Sequence, residues 1–373
     1  MPLLTRTPTV HRPRFHSLTV VDVERLTDEA VAVTFAVPDD LRDEYAFAPG
    51  QHLTLRASIG GEDVRQSYSI CQPRSGRGGP GRVRVASARV EAGRMSTWLN
   101  TVVRPGDEVE VMTPMGSFTC PTQPDRARHH VAVAAGSGIT PVLSLVSTAL
   151  EEEPDSRVTL LFGNRRTSSV MFLEELEDLK NRYPGRFHLV TVLSQEPQDV
   201  ELFHGRLDPE RLGHILDALV PVATVDEWYL CGPMGMVTGA EALLRSRGVD
   251  PSHVHHEIFH VVDPSGAPPR PRPVVDAGAP PVAVVTVRLD GRTTEIPMPS
   301  ADESILDATL RVRPDAPFSC TNGVCGTCRV HIIEGEVRMD RNYALEPDEV
   351  SRGVVLACQA HPVTPTVTLD YDT

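Results

Sequence analysis

From His16 to Pro114 apolar and polar residues alternate in short runs with turn residues between them: HSLTVVDVERL, AVAVTFAVP, QHLTLRASI, RVRVASARV and DEVEVMTP. A period of two marks strands with one buried face, so residues 15–125 are expected to form an antiparallel β-barrel. From His130 the rhythm changes. VAVAAG, VTLLFG, FHLVTVLS and EWYLCGP are continuously apolar, and stretches of helical periodicity such as MFLEELEDLKNRY follow them. Strands buried on both faces and alternating with helices predict an α/β domain with a parallel sheet over residues 126–260.

Periodicity then stops. The segment Val261–Pro281, VVDPSGAPPRPRPVVDAGAPP, is rich in Pro, Gly and Ala and reads as a stiff linker. Beyond it, VAVVTVRLDGRTTEIPMP has the pattern of a hairpin and SILDATLRV that of a helix, so residues 282–373 are expected to form a small α+β module of the β-grasp kind. At the other end, residues 1–14 are polar and broken by proline, and are expected to be a loose tail.

The composition is that of a globular protein, with 40% hydrophobic and 23% charged residues, and 373 residues suit three cores better than one. A formal net charge of -14 argues against nucleic acid or an anionic membrane as a partner. The longest apolar stretch, from Val131, is interrupted by Gly-Ser-Gly and Pro, which is a strand-turn-helix signature and not a membrane span. No export signal is visible, so a reducing, cytoplasmic setting is expected, in which seven cysteines serve metal or redox chemistry sooner than disulfides.

Three of those cysteines fall within nine residues, in CTNGVCGTC. Cys320, Cys325 and Cys328 are spaced C-x4-C-x2-C, and Cys358 follows in LACQA. Gly323 and Gly326 let such a loop turn its sulfurs inward and its N–H groups toward inorganic sulfide. The spacing is that of plant-type 2Fe-2S ferredoxins. Zinc is the chief competitor, but structural zinc sites use two paired knuckles, and here the fourth cysteine stands alone.

In the α/β region, Gly136 and Gly138 of AAGSGITP follow a buried strand, with Pro141 expected at the first helical position. Glycines there allow close approach of a pyrophosphate to a helix N-terminus, although a tight turn without a ligand would read the same way. The second strand ends in GNRRTS. Arg165 and Arg166 stand where an NAD-selective fold places an acid, which favours the 2'-phosphate of NADP, with solvated surface arginines as the alternative. The last strand ends in Cys231, Gly232 and Pro233, at the carboxyl edge where open α/β sheets bind ligands. In the β-region, Tyr68 and Ser69 of RQSYSIC and the glycine-led GRMSTWL, Gly93–Leu99, could stack on a ring and hold a pyrophosphate, or could be ordinary packing.

A nicotinamide gives two electrons together, and a 2Fe-2S cluster takes them singly. A flavin between the two is the chemical requirement. The R-x-Y-S, G-x-x-S, G-x-G-x-x-P and CGP elements, followed by a plant-type cluster motif, resemble the ferredoxin-NADP reductase superfamily. The domain order, GNR followed by SVMF, and LSQEPQDVELFHGRLD are similar to the reductase subunits of phenylacetyl-CoA epoxidases; reductases of 3-ketosteroid 9α-hydroxylases share the domain order. The resemblance covers the chain from about Phe15.

It implies an NADPH-dependent, FAD-containing iron-sulfur reductase that supplies the oxygenase component of a multicomponent monooxygenase. By position, it implies that Tyr68 and Ser69 contact the isoalloxazine, and that Gly93, Met95 and Ser96 hold the flavin pyrophosphate. Gly136 to Thr140, with Gly138 among them, would hold the dinucleotide, with Cys231 beside the nicotinamide and Glu257 and Phe259 near the flavin. The family's flavin-phosphate arginine precedes the tyrosine by two residues, where this chain has Gln66. Arg65, one residue further back, is the nearest substitute, but strand alternation turns it from the face of Tyr68 unless a bulge intervenes. A redox-sensing iron-sulfur flavoprotein is the reading of a different class; it has no need of Arg165, Arg166 or Cys231.

Overall fold

A computed structural model of the chain describes residues 13–75, 81–260 and 281–372. The tail expected over 1–14 and the linker expected over 261–281 fall almost wholly outside the described residues.

The first layer contains β1 (Phe15–Thr27), β2 (Ala30–Ala36), β3 (His52–Ile59), β4 (Glu62–Ser69), β5 (Arg82–Ala88), helix α1 (Arg94–Thr101) and β6 (Glu108–Met112). The strands lie in the order β4-β3-β6-β1-β2-β5, and all of these pairs are antiparallel. Just past β4, Ile70 bridges Val85 of β5, which closes the sheet into a barrel. Its interior is filled by the inward-facing set of each strand, including Leu18, Val33, Phe35, Leu53, Leu55, Val85 and Val111, and capped by Leu99 of α1. Closure brings the two outer strands of the sheet together, so that the alternating pattern acquires one enclosed face.

The second layer runs β7 (His129–Ala135), α2 (Ile139–Glu152), β8 (Arg157–Asn164), α3 (Leu173–Arg182), β9 (Phe187–Leu193), α4 (Pro209–Leu219), β10 (Glu227–Pro233), α5 (Met234–Ser246) and β11 (Val254–His260). The sheet is parallel throughout, in the order β11-β10-β7-β8-β9. The chain reverses its direction of growth between β7 and β10, which makes their carboxyl ends the topological switch point. β11 has no counterpart in the apolar pattern because it is an edge strand whose polar residues, His255, His256 and Glu257, interrupt both faces. Pro141 lies at the third position of α2, since the turn Gly136–Gly138 runs directly into the helix at Ile139. An N–H there has no intrahelical partner, so proline is still accommodated.

The third layer comprises β12 (Ala283–Leu289), β13 (Arg292–Met298), α6 (Ile305–Val312), β14 (Arg329–Glu334), β15 (Val337–Met339), α7 (Pro347–Ser351), β16 (Val354–Leu356), β17 (Ala360–Pro362) and β18 (Thr366–Asp370). Its main sheet is ordered β13-β12-β18-β14-β16. The hairpin β12–β13 turns through Asp290 and Gly291, both in the left-handed region, as a two-residue turn demands. Ser304 caps α6 by accepting a hydrogen bond from the Asp307 N–H at 3.1 Å, and Ile305, Leu306 and Ala308 of the helix join the core of this module. Among the described residues, no helix is long and apolar enough to cross a membrane.

Candidate functional site

The site is built where the three layers meet. β4 ends in Ser69, whose hydroxyl donates across the layer boundary to Glu257 Oε2 at 3.4 Å. Glu257 sits on β11 in register with Cys231 on β10, so these three residues share one point of the fold. Burial pushes the Glu257 carboxyl up to about 8, against the weaker pull of Ser69, and pushes the enclosed Cys231 thiol up as well. Both are therefore neutral near pH 7. Tyr68 packs against the barrel core, and burial raises its phenol despite a hydrogen bond with Ser87. Phe259 packs against the core that includes Cys231 and Ile139.

Two glycine-led turns have a shape that a side chain would spoil, and the second of them abuts Cys231. At the start of α1, a Cβ on Gly93 would stand 2.5 Å from Ser96 Oγ and 3.0 Å from the Val90 carbonyl oxygen. Ser96 holds that turn, accepting from the Val90 N–H at 3.1 Å and donating to the Gly93 carbonyl at 3.2 Å, while Met95 is buried beneath it. At the start of α2, Gly136 has φ +54 with open space before it, and Gly138 packs against the backbone of Cys231 and Gly232. Thr140 Oγ1 donates to the Ser137 carbonyl at 3.0 Å. Pro233 caps α5 immediately after Gly232. Each turn sets glycine backbone at a helix N-terminus, a form that can accept a phosphate, and at Gly136 the space before it is open.

Arg165 and Arg166 follow β8 and are both exposed, with Arg165 3.8 Å from Glu29 of the barrel. Arg65 does not share the face of Tyr68. β4 pairs with β3 without a bulge, so alternation puts Arg65 on the face of Ser67 and Ser69, away from Tyr68. Its guanidinium lies 4.1 Å from the centroid of Phe318 and ion-pairs Asp63 at 3.2 Å.

The cysteine loop folds as a cage. Thr321, Gly323 and Gly326 take positive φ values of 54°, 78° and 66°, which wind the chain around its own sulfurs. Cys320 lies beside Cys325, and Cys328 beside Cys358, and no disulfide links them. The Asn322 N–H points at Cys320 Sγ at 3.4 Å, and backbone N–H groups at Thr327 and Gly323 reach Cys325 and Cys358. Four convergent thiols ringed by N–H donors fit a 2Fe-2S cluster, whose sulfurs need such donors. The loop rests on the barrel: His52 Nε2 lies 3.4 Å from Thr327 Oγ1, and Ser67 Oγ donates to Ser319 Oγ at 2.9 Å. A cleft of about 450 Å3 opens beside it, lined by Phe118, His256, Glu257, Cys325, Arg329 and Tyr343 among others.

A second cluster has no signal in the linear chain. Cys120, Glu227 and His255 bring their sulfur, carboxylate and imidazole atoms within 4.8 Å of one another. Arg128 stands 3.6 Å from both Cys120 Sγ and Glu227, so the group is charge-compensated by the protein itself.

Family models match the three layers in chain order: an oxidoreductase FAD-binding domain over residues 17–120, an oxidoreductase NAD-binding domain over 132–242 and a 2Fe-2S iron-sulfur cluster binding domain over 287–363. The chain is also 45% identical over 358 residues to a subunit of the 1,2-phenylacetyl-CoA epoxidase of Escherichia coli (strain K12), a match that spans 96% of this chain and 98% of that one. The chain belongs to this family of FAD and 2Fe-2S reductases. The reductase is 36% identical to the ferredoxin reductase component of 3-ketosteroid-9-alpha-monooxygenase from Mycolicibacterium smegmatis, over 95% of this chain and 96% of that one. In fold it resembles phthalate dioxygenase reductase, with a TM-score of 0.56 at 21% identity over 95% of this chain and 98% of that one. The reductase is an NAD(P)H-dependent oxidoreductase that carries FAD and a 2Fe-2S cluster.

Proposed function

We propose that the reductase draws electrons from NADPH and delivers them to a di-iron oxygenase that epoxidises the ring of phenylacetyl-CoA. The observation that carries this reading is identity to the Escherichia coli epoxidase protein along almost the entire chain. The preference for NADPH rests on Arg165 and Arg166, which are exposed at the end of β8 where a 2'-phosphate would lie. The working domain division is 15–125, 126–260 and 282–373, and the setting is cytoplasmic, where the four cluster thiols stay reduced for metal.

When bound, FAD takes a hydride from the nicotinamide and passes electrons on singly, which neither neighbour can do alone. The protein's part is positioning. Gly136, Gly138 and Thr140 shape the turn that would receive the dinucleotide, and Gly232, Pro233 and Cys231 form the opposite wall of the switch point. Gly93, Met95 and Ser96 shape the turn that would receive the flavin pyrophosphate, and Tyr68, Ser69 and Phe259 would border the ring. Ser69 Oγ and the Glu257 carboxyl, which burial pushes up to about 8, would hold exchangeable protons beside a bound flavin ring. Cys320, Cys325, Cys328 and Cys358 would ligate the cluster.

The test is co-purification with the host's oxygenase components followed by assay on phenylacetyl-CoA with NADPH. Turnover that depends on both proteins supports the reading. Failure to pair, with activity restored instead by a ring-hydroxylating steroid oxygenase, would move the reductase to that branch. Cys325→Ser should abolish cytochrome c reduction while sparing ferricyanide; equal loss of both contradicts the electron order.

A further inference from the structure

The face of the barrel that carries the cysteine loop is laid out as a ladder. β3 and β4 pair His52 with Ser69, Thr54 with Ser67 and Arg56 with Arg65, and a period of two puts all six side chains on one face. Three of these residues meet the cysteine module. His52 meets Thr327, inside the C-G-T-C turn; Ser67 meets Ser319, next to Cys320; Arg65 lies over Phe318. A fourth, Ser69, meets Glu257.

Arg65 is the unusual member. Its side chain is only 6% exposed, and its Nε is buried without a hydrogen-bond partner. Beyond one ion pair to the exposed Asp63, it is held by rings: Phe318 at 4.1 Å and Phe15 at 5.3 Å. An arginine fixed by stacking, with a donor left over, is a docking contact and not a surface charge. His52 is likewise buried at 2% exposure, and its ring touches the cluster loop.

We propose that Arg65 and His52 form a latch that holds the cluster loop against the flavin-binding strand, making them positioning residues for electron transfer from flavin to cluster. The inference rests on the electron-transfer reading above. Arg65 grips Phe318 and sets the approach of the module, while His52 holds Thr327 and sets the orientation of the loop. Both contacts are small, so the module can release after receiving an electron.

The experiment compares the oxidised holoprotein with Arg65→Gln, His52→Phe and Phe318→Leu variants, by small-angle scattering and by anaerobic stopped-flow mixing with NADPH. The variants are expected to retain flavin and cluster, to scatter with a larger radius of gyration, and to reduce flavin within about twofold of the parent rate. Cluster reduction should slow by about tenfold, the scale set by losing one desolvated cation-ring contact. His52→Gln, which keeps a hydrogen-bond group, should recover most of the rate. Phe318→Leu tests the Arg65 contact from the other side should Arg65→Gln fail to fold. Unchanged scattering with parent-like cluster reduction overturns the latch, as does an Arg65→Gln protein purified without flavin, which would return Arg65 to the cofactor. If the parent protein itself reduces flavin and never its cluster, the electron-transfer reading fails, while the scattering result still decides the latch.

Discussion

Gly138 packs against Cys231 so closely that an added Cβ would overlap the Cys231 carbonyl oxygen and stand 2.9 Å from the Gly232 amide nitrogen. The turn into α2 and the end of β10 are thus pressed together at the switch point, and the gap between them is set by backbone. Gly138→Ala must push α2 away. The expected result is at least about a tenfold rise in KM for NADPH, with reduction by dithionite unchanged, because the barrel and the cysteine loop are untouched. Steady-state kinetics beside a dithionite titration reads both.

Arg165 and Arg166 are exposed and lightly compensated: Arg165 lies 3.8 Å from Glu29, and Arg166 shares the field of Glu196. Replacing both with Gln is expected to raise KM for NADPH by about one to two orders of magnitude while moving KM for NADH less than about threefold, since only NADPH offers a 2'-phosphate to pair with. Equal effects on the two cofactors would assign the arginines to general surface charge.

Glu153 is fully buried at the end of α2, where it ion-pairs Arg128, lies 2.9 Å from His130 Nε2 and accepts from Ser156 Oγ at 2.6 Å. Burial raises its carboxyl, and these partners together outweigh burial and hold it well below the usual range. Glu153→Gln takes from the buried Arg128 its nearer counter-ion and leaves it only Glu227 at 3.6 Å. The expected loss is about 3–5 kcal/mol of stability, measured by urea unfolding.

His129 contributes to the acid limb of stability. Burial, reinforced by the Arg157 guanidinium, pushes its imidazole down to about 4 against the weaker pull of Thr224 and Asp226. The folded pKa is depressed below the unfolded value of 6.5, so the unfolded chain binds more protons between pH 6.5 and 4. Stability from this group is complete above 6.5 and is lost as pH falls toward 4. His129→Gln, which cannot titrate, should flatten this limb by at most about 3 kcal/mol. Thermal melts across the acid range, parent beside variant, check the slope.

Much of this was legible in the chain. The alternation in AVAVTFAVP and the continuous runs VTLLFG and EWYLCGP separate a half-solvated barrel from a sheet covered on both faces, because strand periodicity reports which faces are buried. β11 was not legible, since an edge strand carrying three histidines lacks the apolar signature of its neighbours. Nor was the Cys120, Glu227 and His255 group, whose members lie more than a hundred residues apart at the extremes.

Arg65 marks the division between the two kinds of information. Covalent spacing belongs to the sequence: four cysteines at ligand intervals, glycines at the turns into helices, and an arginine one place out of step with the family motif. Strand alternation, also a local rule, already turned that arginine from the face of Tyr68. What the arginine turns toward is a question of which distant segments pack together. Only the assembled fold brings Phe318 over its guanidinium and Glu257 to Ser69, because those contacts join residues 253 and 188 positions apart, and no local preference encodes them.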